Sequence, residues 1–419
     1  MSSSQSHSLT ARQEWILLLV LGSIQFTNLM DFVILMPLGP QLMRVFSISP
    51  QQFGLLVSAY TFSAGVVGIA GALFLDRFDR KTALLTLYAG FAFSNFLCAI
   101  SPTYPLLLAA RVVTGAFGGM MGATVFAVVG DVIPEIRRGA AMGTVMTSFS
   151  LATVAGVPLG LFLANDFGWH IPFFLLSGTS LAVLVVGFYA MPAIRGHMIE
   201  GGHHSPFRSL FEVVSHRNHI NAFIFVSAVV VAGFSVIPYL SPYLVSNVGL
   251  TEHDLPYIYI FGGGATVFTS RFFGRLSDRY GKPKAFAWIA GFSVIPIVMI
   301  TNLPHVPLWV ALVVTTVFTI LVSGRWVPAM AMVTASVEPR RRGSFMSVTS
   351  SIQQISSGIA SFGAGLIIGK SPSGSLTHFE IVGAIAVATS FLCIFLSKRI
   401  RTVGASGSHD QPEPAFETM

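Results

Sequence analysis

Charged residues are scarce in this chain. Only 10% of its 419 residues are Asp, Glu, Lys or Arg, whereas a soluble domain carries about 25%. Because 53% of the residues are hydrophobic and the mean hydropathy is +0.73, a soluble protein of this length could not cover its core with polar surface. The aromatic and aliphatic content also excludes a disordered chain. The composition therefore indicates an integral membrane protein.

Cysteine is equally scarce, and the common catalytic motifs are missing. The two cysteines, Cys98 and Cys393, lie in apolar runs, which argues against a disulfide framework or a zinc site. No Gly-x-x-x-x-Gly-Lys-Ser/Thr run is present, so ATP-driven transport is not expected. The sequence also lacks His-Glu-x-x-His and Gly-x-Ser-x-Gly, so we expect no enzymatic site, no cofactor and no metal.

The chain contains twelve apolar runs of the length that a helix needs to cross a bilayer, about 20 residues. The runs are continuous rather than alternating, which favours helices over strands. The sequence therefore predicts an all-α membrane protein with twelve transmembrane helices. The predicted spans are residues 15–38, 53–75, 82–100, 105–129, 139–163, 172–190, 220–244, 256–273, 284–300, 308–336, 344–368 and 379–396.

Basic residues lie almost entirely on one side of these spans. The other side holds only Arg44 and Lys370. Because basic residues concentrate in cytoplasmic loops, we expect a multi-pass protein of the inner membrane with both termini in the cytoplasm. The net charge of +7 then reflects the position of the basic loops relative to the membrane. Because these basic residues are dispersed among several loops, we expect no nucleic-acid partner.

Two short patterns recur along the chain. LDRFDRK around Asp76 matches SDRYGK around Asp278 at a distance of 202 residues, and IRRGAAMG around Gly139 matches RRRGSFMS around Gly343 at 204 residues. Such a parallel repeat is typical of transporters built from two halves that rock against each other. The predicted parts are a tail (1–14), an N-terminal half (15–190), a linker (191–218), a C-terminal half (219–397) and a second tail (398–419).

Several of these residues resemble the major facilitator superfamily, in its twelve-span drug:proton antiporter branch and the neighbouring predicted arabinose-efflux permeases. GRLSDRYGK, which runs from Gly274 to Lys282, is similar to the signature loop between the second and third helices of a half. In the N-terminal copy, Ala72 and Asp79 replace the usual glycines. Arg111 with Gly115 resembles the fourth-helix motif, and GVPLG at 156–160 resembles the fifth-helix motif associated with antiporters.

The resemblance implies a gate at the cytoplasmic ends of the helices. In the family, the basic residue of the signature loop pairs with an acid of the fourth helix, which here implies the pair Arg80 and Asp131. We also expect Asp76 to cap the eleventh helix near Ser344. Plain basic loops remain the alternative interpretation. The candidate gate residues are Asp76, Arg77, Arg80, Asp131, Gly274, Asp278, Arg279, Gly281 and Lys282.

Asp31 is the only acidic residue well inside a predicted span. Counted at 1.5 Å per residue, Asp31 lies about 10 Å and Arg111 about 9 Å from the outer ends of their helices, so the two side chains could meet. A carboxylate beside an arginine stays ionised, whereas a carboxylate buried alone takes up a proton. Asp31 and Arg111 are therefore candidates for proton coupling. A fixed ion pair that holds the helices together is the alternative.

Further polar residues are candidates for a substrate cavity. Gln25 and Asn28 precede Asp31 at spacings of three and form one polar stripe on the first helix. Arg325, in the cytoplasmic half of the tenth span, could bind an anion or satisfy the carbonyl that Pro328 frees. Gln353 and Gln354 are adjacent, so only one of them is expected to face inward.

Gly156, Pro158 and Gly160 introduce a bend into the fifth helix, either for close packing or for gating. The leading prediction is efflux of a small molecule, such as a drug or sugar, driven by protons through a monomer in the lipid bilayer. Nutrient uptake by symport or facilitated diffusion is the first alternative. A membrane-embedded enzyme or receptor is a distant second.

Overall fold

A computed structural model describes residues 10–74, 78–192, 194, 212–338 and 341–401. Within these ranges the chain is almost entirely helical, and the only strands are β1 (Gly369–Lys370) and β2 (Leu376–Thr377), which pair antiparallel. The candidate gate residues Asp76 and Arg77 lie outside the described residues. So do most of the predicted linker and nearly all of both tails.

Apart from the stretch between Ala190 and Arg217, the connections between the described helices are short. Single π-helical turns at Ala152–Gly156 and Leu244–Val248 interrupt or end longer helices, and a short 3₁₀ turn covers Glu252–Asp254. The helices are α1 (Ala11–Ile34), α2 (Gly39–Val45), α3 (Pro50–Phe74), α4 (Arg80–Ala99), α5 (Tyr104–Val132), α6 (Glu135–Leu151), α7 (Val157–Phe167), α8 (Ile171–Ala190), α9 (Arg217–Phe234), α10 (Ile237–Tyr243), α11 (Leu255–Tyr280), α12 (Lys282–Thr301), α13 (Leu308–Gly324), α14 (Trp326–Ala335), α15 (Arg342–Ile367) and α16 (Phe379–Ser397).

The helical membrane architecture is confirmed for the described residues. Ten helical segments among them are long and apolar enough to cross a bilayer. Large apolar side chains such as Phe93, Leu181, Phe292 and Phe391 are more than half exposed, and such faces are stable in hydrocarbon. The two other long helices, α11 and α15, have 26 residues each but carry more polar side chains and do not meet the criterion. By length and composition alone, the described residues contain ten candidate spans rather than the predicted twelve.

The helix bounds differ from the predicted spans for local reasons. Helix α1 begins before residue 15 because the Thr10 and Gln13 side chains form a capping box, and Ser49 and Gln52 start α3 in the same way. The predicted span 308–336 is broken at Arg325, three residues before Pro328, which has no N–H to donate to the preceding turn. Apolar runs mark the buried part of a helix, whereas polar caps mark its ends.

The two ends of the bundle differ in charge and in packing. We call the end with the loops around residues 79, 134, 281 and 341 the basic end, and the end with the loops around residues 46, 168, 250 and 303 the sealed end. The N-terminal and C-terminal groups of helices meet along α3 and α15, and α7 meets α11 towards the sealed end. The polar residues discussed below lie between and within these two groups.

Asp79, which replaces a glycine of the signature loop, has a definite structural role. Its Oδ1 accepts a hydrogen bond from the backbone N–H of Thr82 at 3.0 Å and so caps the N-terminus of α4. Its Oδ2 accepts the N–H of Ile194 at 3.0 Å, and the Ile194 carbonyl accepts the N–H of Arg80. The substitution therefore fastens the chain that follows α8 to the start of α4.

Replacing Asp79 by alanine should lower the free energy of unfolding by about 1 kcal/mol, because a helix cap is lost. The free energy of unfolding of Asp79→Asn should lie between those of wild type and Asp79→Ala. Its amide oxygen still caps α4, but one carboxylate acceptor is gone. Thermal unfolding of the three detergent-purified proteins measures this order. Equal midpoints for all three would show that the cap contributes nothing.

Candidate functional site

The structure brings Asp31 of α1 and Arg111 of α5 into direct contact. Arg111 Nη1 lies 2.7 Å from Asp31 Oδ1, and both side chains are at most 1% exposed. Asp31 Oδ2 and Arg111 Nε have no hydrogen-bond partner among the described residues. Each charge would be costly in this environment without the other. The pair therefore meets the geometric requirement for a coupled ionisable site.

Tyr60 of α3 covers this ion pair. The Arg111 guanidinium carbon lies 4.7 Å from the centre of the Tyr60 ring, and the Tyr60 hydroxyl donates to Asn28 Oδ1 at 3.0 Å. Asn28 Nδ2 donates in turn to the carbonyl of Gly118 at 3.4 Å. Tyr60 thus joins the predicted polar stripe of α1 to the ion pair. The sequence analysis did not identify it, because an isolated tyrosine in an apolar run carries no distinguishing signal.

Glycines of α5 allow the helices around this site to approach closely. A Cβ on Gly115 would lie 2.8 Å from Tyr60 Cα, and a Cβ on Gly119 would lie 2.5 Å from Ala64 Cα. Larger residues at these positions would push α5 away from α3. Since Arg111 lies one turn from Gly115, such a shift would also move its guanidinium relative to Tyr60.

Gln25 extends the polar stripe towards the basic end. Its Oε1 is buried, has no hydrogen-bond partner among the described residues, and lies 4.0 Å from the position of a Cβ on Gly122. Gln25, Asn28 and Asp31 recur at spacings of three, so they follow one another along one side of α1. The stripe therefore runs between α1 and α5 from the ion pair towards the basic end.

Arg325 lies in the other group of helices and is only 1% exposed. Its Nη1 donates to Ser390 Oγ at 3.2 Å and its Nη2 to the Val229 carbonyl at 3.5 Å, while Nε has no partner. No carboxylate of the described residues pairs with it. Arg325 makes no described hydrogen bond to the carbonyl that Pro328 leaves without an N–H donor. Its hydrogen bonds instead connect it to Val229 of α9 and Ser390 of α16.

The two adjacent glutamines of α15 are both half-buried. Gln353 Nε2 approaches Met330 Sδ at 3.5 Å, and Gln354 makes no hydrogen bond to the described residues. They are not gathered with Asp31 and Arg111. The predicted cavity residues therefore fall into two separate sets, one in each group of helices.

A small cavity of about 100 Å³ lies between α10, α11 and α13. Its wall is mostly apolar and carries no charged side chain; it includes Ile237, Leu240, Ile258, Phe318 and Val322. The Tyr259 hydroxyl also lies on the wall and hydrogen bonds to Ser241 Oγ at 2.9 Å. In the sequence, Tyr259 belongs to a cluster of tyrosines that an aromatic interface belt explains as well as a substrate-stacking role, and the apolar residues of the wall are common in membrane helices.

The candidate gate residues that the structure describes lie at the basic end. Arg80 Nε is 3.1 Å from Asp131 Oδ2, so the structure brings this expected pair together. Gly281 has a φ of +85°, which favours glycine at the tight connection between α11 and α12. Gly274 faces open space, Arg279 lies over the Tyr280 ring, and Lys282 begins α12. Asp278 is exposed and has no ion pair among the described residues.

The Gly156–Gly160 segment packs tightly against α1. A Cβ on Gly156 would lie 3.2 Å from Met30 Sδ, and a Cβ on Gly160 would lie 2.8 Å from Ile34 Cδ1. Pro158 is the second residue of α7, where its missing N–H follows the π-helical turn. On another side of this turn, the Thr153 carbonyl would lie 3.1 Å from a Cβ on Gly263 of α11. The motif therefore holds α1 while the turn beside it touches the opposite group of helices.

The sealed end is closed by a polar clasp, which we define as Gln41, Arg44, Asn165 and Glu252. Arg44 makes two hydrogen bonds to the Glu252 carboxylate, at 2.5 and 3.0 Å. Asn165 Nδ2 donates to the Glu252 carbonyl at 2.9 Å, and Gln41 Nε2 donates to Asn165 Oδ1 at 3.2 Å. The clasp joins α2 and α7 to the turn before α11. Sequence reasoning missed it, although Arg44 was one of two basic residues assigned to that side.

Apolar and aromatic contacts lie close to the clasp. Phe162 and Tyr257 pack edge to face at 6.1 Å, and Phe32 packs against Phe234 at 5.8 Å. Tyr239 is fully buried, and its hydroxyl donates to the Ser361 carbonyl at 2.9 Å and lies 3.2 Å from the Pro50 carbonyl. These contacts connect the two groups of helices on the side of the clasp.

Glu252→Gln should weaken the clasp and open the sealed end more often. Loss of a charged, bidentate bond of about 1 kcal/mol would change the ratio of open to closed molecules about fivefold. Spin labels on cysteines at exposed Thr103 and Lys370, on opposite sides of that end, should then show a larger long-distance component. Glu380→Gln removes a charge from the same end without touching the clasp and should leave the distances unchanged. Identical distance distributions for wild type and Glu252→Gln would contradict the clasp.

Comparison with known proteins provides independent information. A profile of the Major Facilitator Superfamily matches residues 21–361 and, in a second match, residues 223–417. The uncharacterized MFS-type transporter YceJ of Bacillus subtilis (strain 168) is 27% identical over 391 residues, which cover 92% of this chain and 95% of that protein. The inner membrane transport protein YdhP of Escherichia coli (strain K12) is 25% identical over 383 residues, which cover 87% and 91% of the two chains.

A solved structure has the same fold. A bacterial homolog of the human lysosomal transporter Spinster, in an inward-facing and unoccupied conformation, superimposes with a TM-score of 0.75. The match covers 95% of this chain and 100% of that one at 16% sequence identity. At this identity the likeness concerns the arrangement of helices alone.

Proposed function

Because the chain belongs to the Major Facilitator Superfamily, and is therefore a membrane transporter rather than an enzyme, we propose that it exports a small molecule in exchange for protons. The observation that carries the proposal is the buried pair of Asp31 and Arg111, an ionisable couple at the depth where a carrier needs one. Alternating access of the two halves would expose this pair to either side in turn.

We propose that α11 and α15 also cross the membrane and complete twelve spans. Each has 26 residues and is thus about 39 Å long, which exceeds the ~30 Å hydrocarbon core. Their polar faces would be shielded from lipid, since α15 packs along α3 and α11 against α7. With basic loops inside, both termini are cytoplasmic and the two six-helix halves comprise residues 15–190 and 219–397. The inner-membrane protein YdhP supports the proposed location.

In this orientation the sealed end faces outward and the basic end opens to the cytoplasm. The clasp then acts as the outer gate. The inner gate would consist of Asp76, Arg77, Arg80 and Asp131 together with Gly274, Asp278, Arg279, Gly281 and Lys282. The exposed Asp278 supports an open C-terminal part of this gate, while Arg80 and Asp131 of the N-terminal part stay paired. The related Spinster homolog was likewise determined facing inward.

Proton coupling follows from competition for Asp31. While Arg111 donates to Asp31, its positive charge favours the ionised carboxylate. A movement of α5 that withdraws Arg111 leaves the carboxylate buried and alone, which favours the uptake of a proton. The stripe formed by Gln25 and Asn28 offers polar atoms between the ion pair and the basic end. Asp31 and Arg111 therefore serve as the coupling residues, with the polar stripe lining the path.

The fifth-helix segment bears on the direction of transport. The GVPLG segment packs against α1 beside Asp31 and resembles a motif of antiporters, which supports efflux. Uptake by symport or facilitated diffusion would use the same halves, and a fixed Asp31–Arg111 pair would fit a facilitator. The relative direction of substrate and proton fluxes distinguishes these cases.

Asp31→Asn should abolish proton flux that depends on substrate. Purified protein in liposomes with a trapped pH-sensitive dye, an imposed proton gradient and a panel of drugs and sugars measures this flux. Opposite movement of substrate and protons would establish antiport. Asp166→Asn, which changes an exposed acid at the sealed end, should retain the wild-type flux.

The Asp31→Asn substitution leaves Arg111 buried without a counter-charge. Removing one partner of a buried ion pair lowers the free energy of unfolding by about 3–5 kcal/mol. The double variant Asp31→Asn/Arg111→Gln removes both charges and controls for lost stability. If both variants fold and retain wild-type proton coupling, Asp31 has no coupling role.

Asp278→Asn should slow turnover more than it weakens substrate binding, because the inner gate contacts neither the ion pair nor the cavity. Substrate binding is measured by calorimetry in detergent and turnover in liposomes, again with Asp166→Asn as the control. An unchanged turnover rate would contradict a gating role and leave the loop with no function beyond setting the orientation of the protein in the membrane.

A further inference from the structure

Arg325 is a buried cation with no carboxylate partner in the part of the chain that the structure describes. Its guanidinium is held by neutral oxygens alone, those of Ser390 and Val229, at 3.2 and 3.5 Å, and its Nε is unpartnered. Arg111 in the other half has a carboxylate at 2.7 Å. A buried charge is costly unless it is paired. Arg325 thus keeps an unused capacity to bind an anion.

Gly233 of α9 lies between this guanidinium and the wall of the apolar cavity formed by α10, α11 and α13. Phe318 and Val322 of α13 line the cavity. They precede Arg325, the C-cap residue of this helix, at spacings of seven and three, so the three positions lie on the same side of the helix and its cap. A Cβ on Gly233 would lie 3.3 Å from Arg325 Nη2, 3.6 Å from Ile237 Cδ1 and 3.8 Å from Val322 Cγ1. One methyl-sized position therefore touches both the cation and two side chains at the cavity wall.

The chemistry of the wall restricts what can occupy the cavity. Its residues carry no charge, and its volume of about 100 Å³ suits one small ring or branched alkyl group rather than a whole drug-sized molecule. The Tyr259 hydroxyl is already paired with Ser241. A cationic group would meet no counter-charge here and would be repelled by Arg325. A neutral molecule would leave Arg325 as it is.

We propose that Arg325 and this cavity form one subsite for an amphiphilic organic anion. The apolar group fills the cavity, and a single carboxylate or similar anionic group binds the Arg325 guanidinium. This inference rests on the proposed function, because it takes the bound anion to be the transported substrate. It names the substrate class that the transporter selects.

Binding of three matched probes tests the subsite without any transport step. Benzoate, benzyl alcohol and benzylamine share one ring and differ in charge. Calorimetry and thermal-shift measurements with the full-length protein in detergent should detect benzoate, with at least tenfold weaker binding of the alcohol and none of the amine. Arg325→Gln should lose the preference for benzoate, and Arg325→Lys should retain part of it.

Gly233→Ala keeps the charge of Arg325 but places a methyl group between the guanidinium and the cavity. It should weaken benzoate binding several-fold. Gly291→Ala is the control, because a Cβ there meets nothing within 4 Å. Gly233→Ala also keeps the test decisive if Arg325→Gln does not fold.

Equal binding of all three probes, or benzoate binding that neither Gly233→Ala nor a folded Arg325 variant weakens, would overturn the subsite. So would the absence of benzoate binding to wild type. Each of these results is independent of the proton flux in liposomes. A protein that couples protons to another substrate but ignores benzoate would refute the subsite alone, whereas benzoate binding without proton coupling would refute the antiport mechanism alone.

Discussion

The carboxylate of Asp31 and the guanidinium of Arg111 are both withdrawn from solvent, and neither is stable there without the other. Their contact requires α1, α3 and α5 to lie close together. Gly115 and Gly119 permit this approach, and Tyr60 fills the remaining space over Arg111. The packing of the first half and its ionisable centre are therefore one arrangement. A change in helix spacing is also a change in the environment of the carboxylate.

The N-terminal and C-terminal groups of helices share two short sequence patterns but differ in their electrostatics. The first half contains a neutralised pair, whereas the second contains Arg325 with only neutral oxygen partners among the described residues. The signature loops differ in a similar way. Asp79 caps α4 and holds the chain after α8, while Gly281 occupies the equivalent position with a positive φ. The two groups of helices therefore share the same short patterns but differ in their buried charges and in the residue at the corresponding loop position.

The sequence was sufficient to predict the helical membrane fold and the family. Long apolar runs, basic loops and the GRLSDRYGK loop are local signals, and each depends on neighbouring residues alone. The approach of Asp31 to Arg111 was predictable because two ionisable residues at matched depth have few other partners in a bilayer. The contact between Arg80 and Asp131 was implied by the family resemblance rather than by the residues themselves.

Contacts between distant helices could not be predicted in the same way. Tyr60, Asn165 and Glu252 are ordinary residues in sequence, and only the packing of helices gives them partners. The partners of Arg325 could not be specified from the sequence, since the orientation of a long side chain at a helix break depends on the surrounding helices. The effect of Asp79 also required the structure, because its second acceptor binds a residue 115 positions away.

The clasp and the buried pair are both ion pairs, yet they respond to different surroundings. The Arg44 side chain is 67% exposed, whereas Arg111 is 1% exposed. Dissolved ions weaken attractions between exposed charges over a Debye length of about 8 Å at physiological ionic strength, but they do not enter the hydrocarbon. Salt on one face of the membrane therefore loosens the closure of the transporter without disturbing its ionisable centre. The same chain can thus respond to the medium at its surface while the buried pair stays insulated from it.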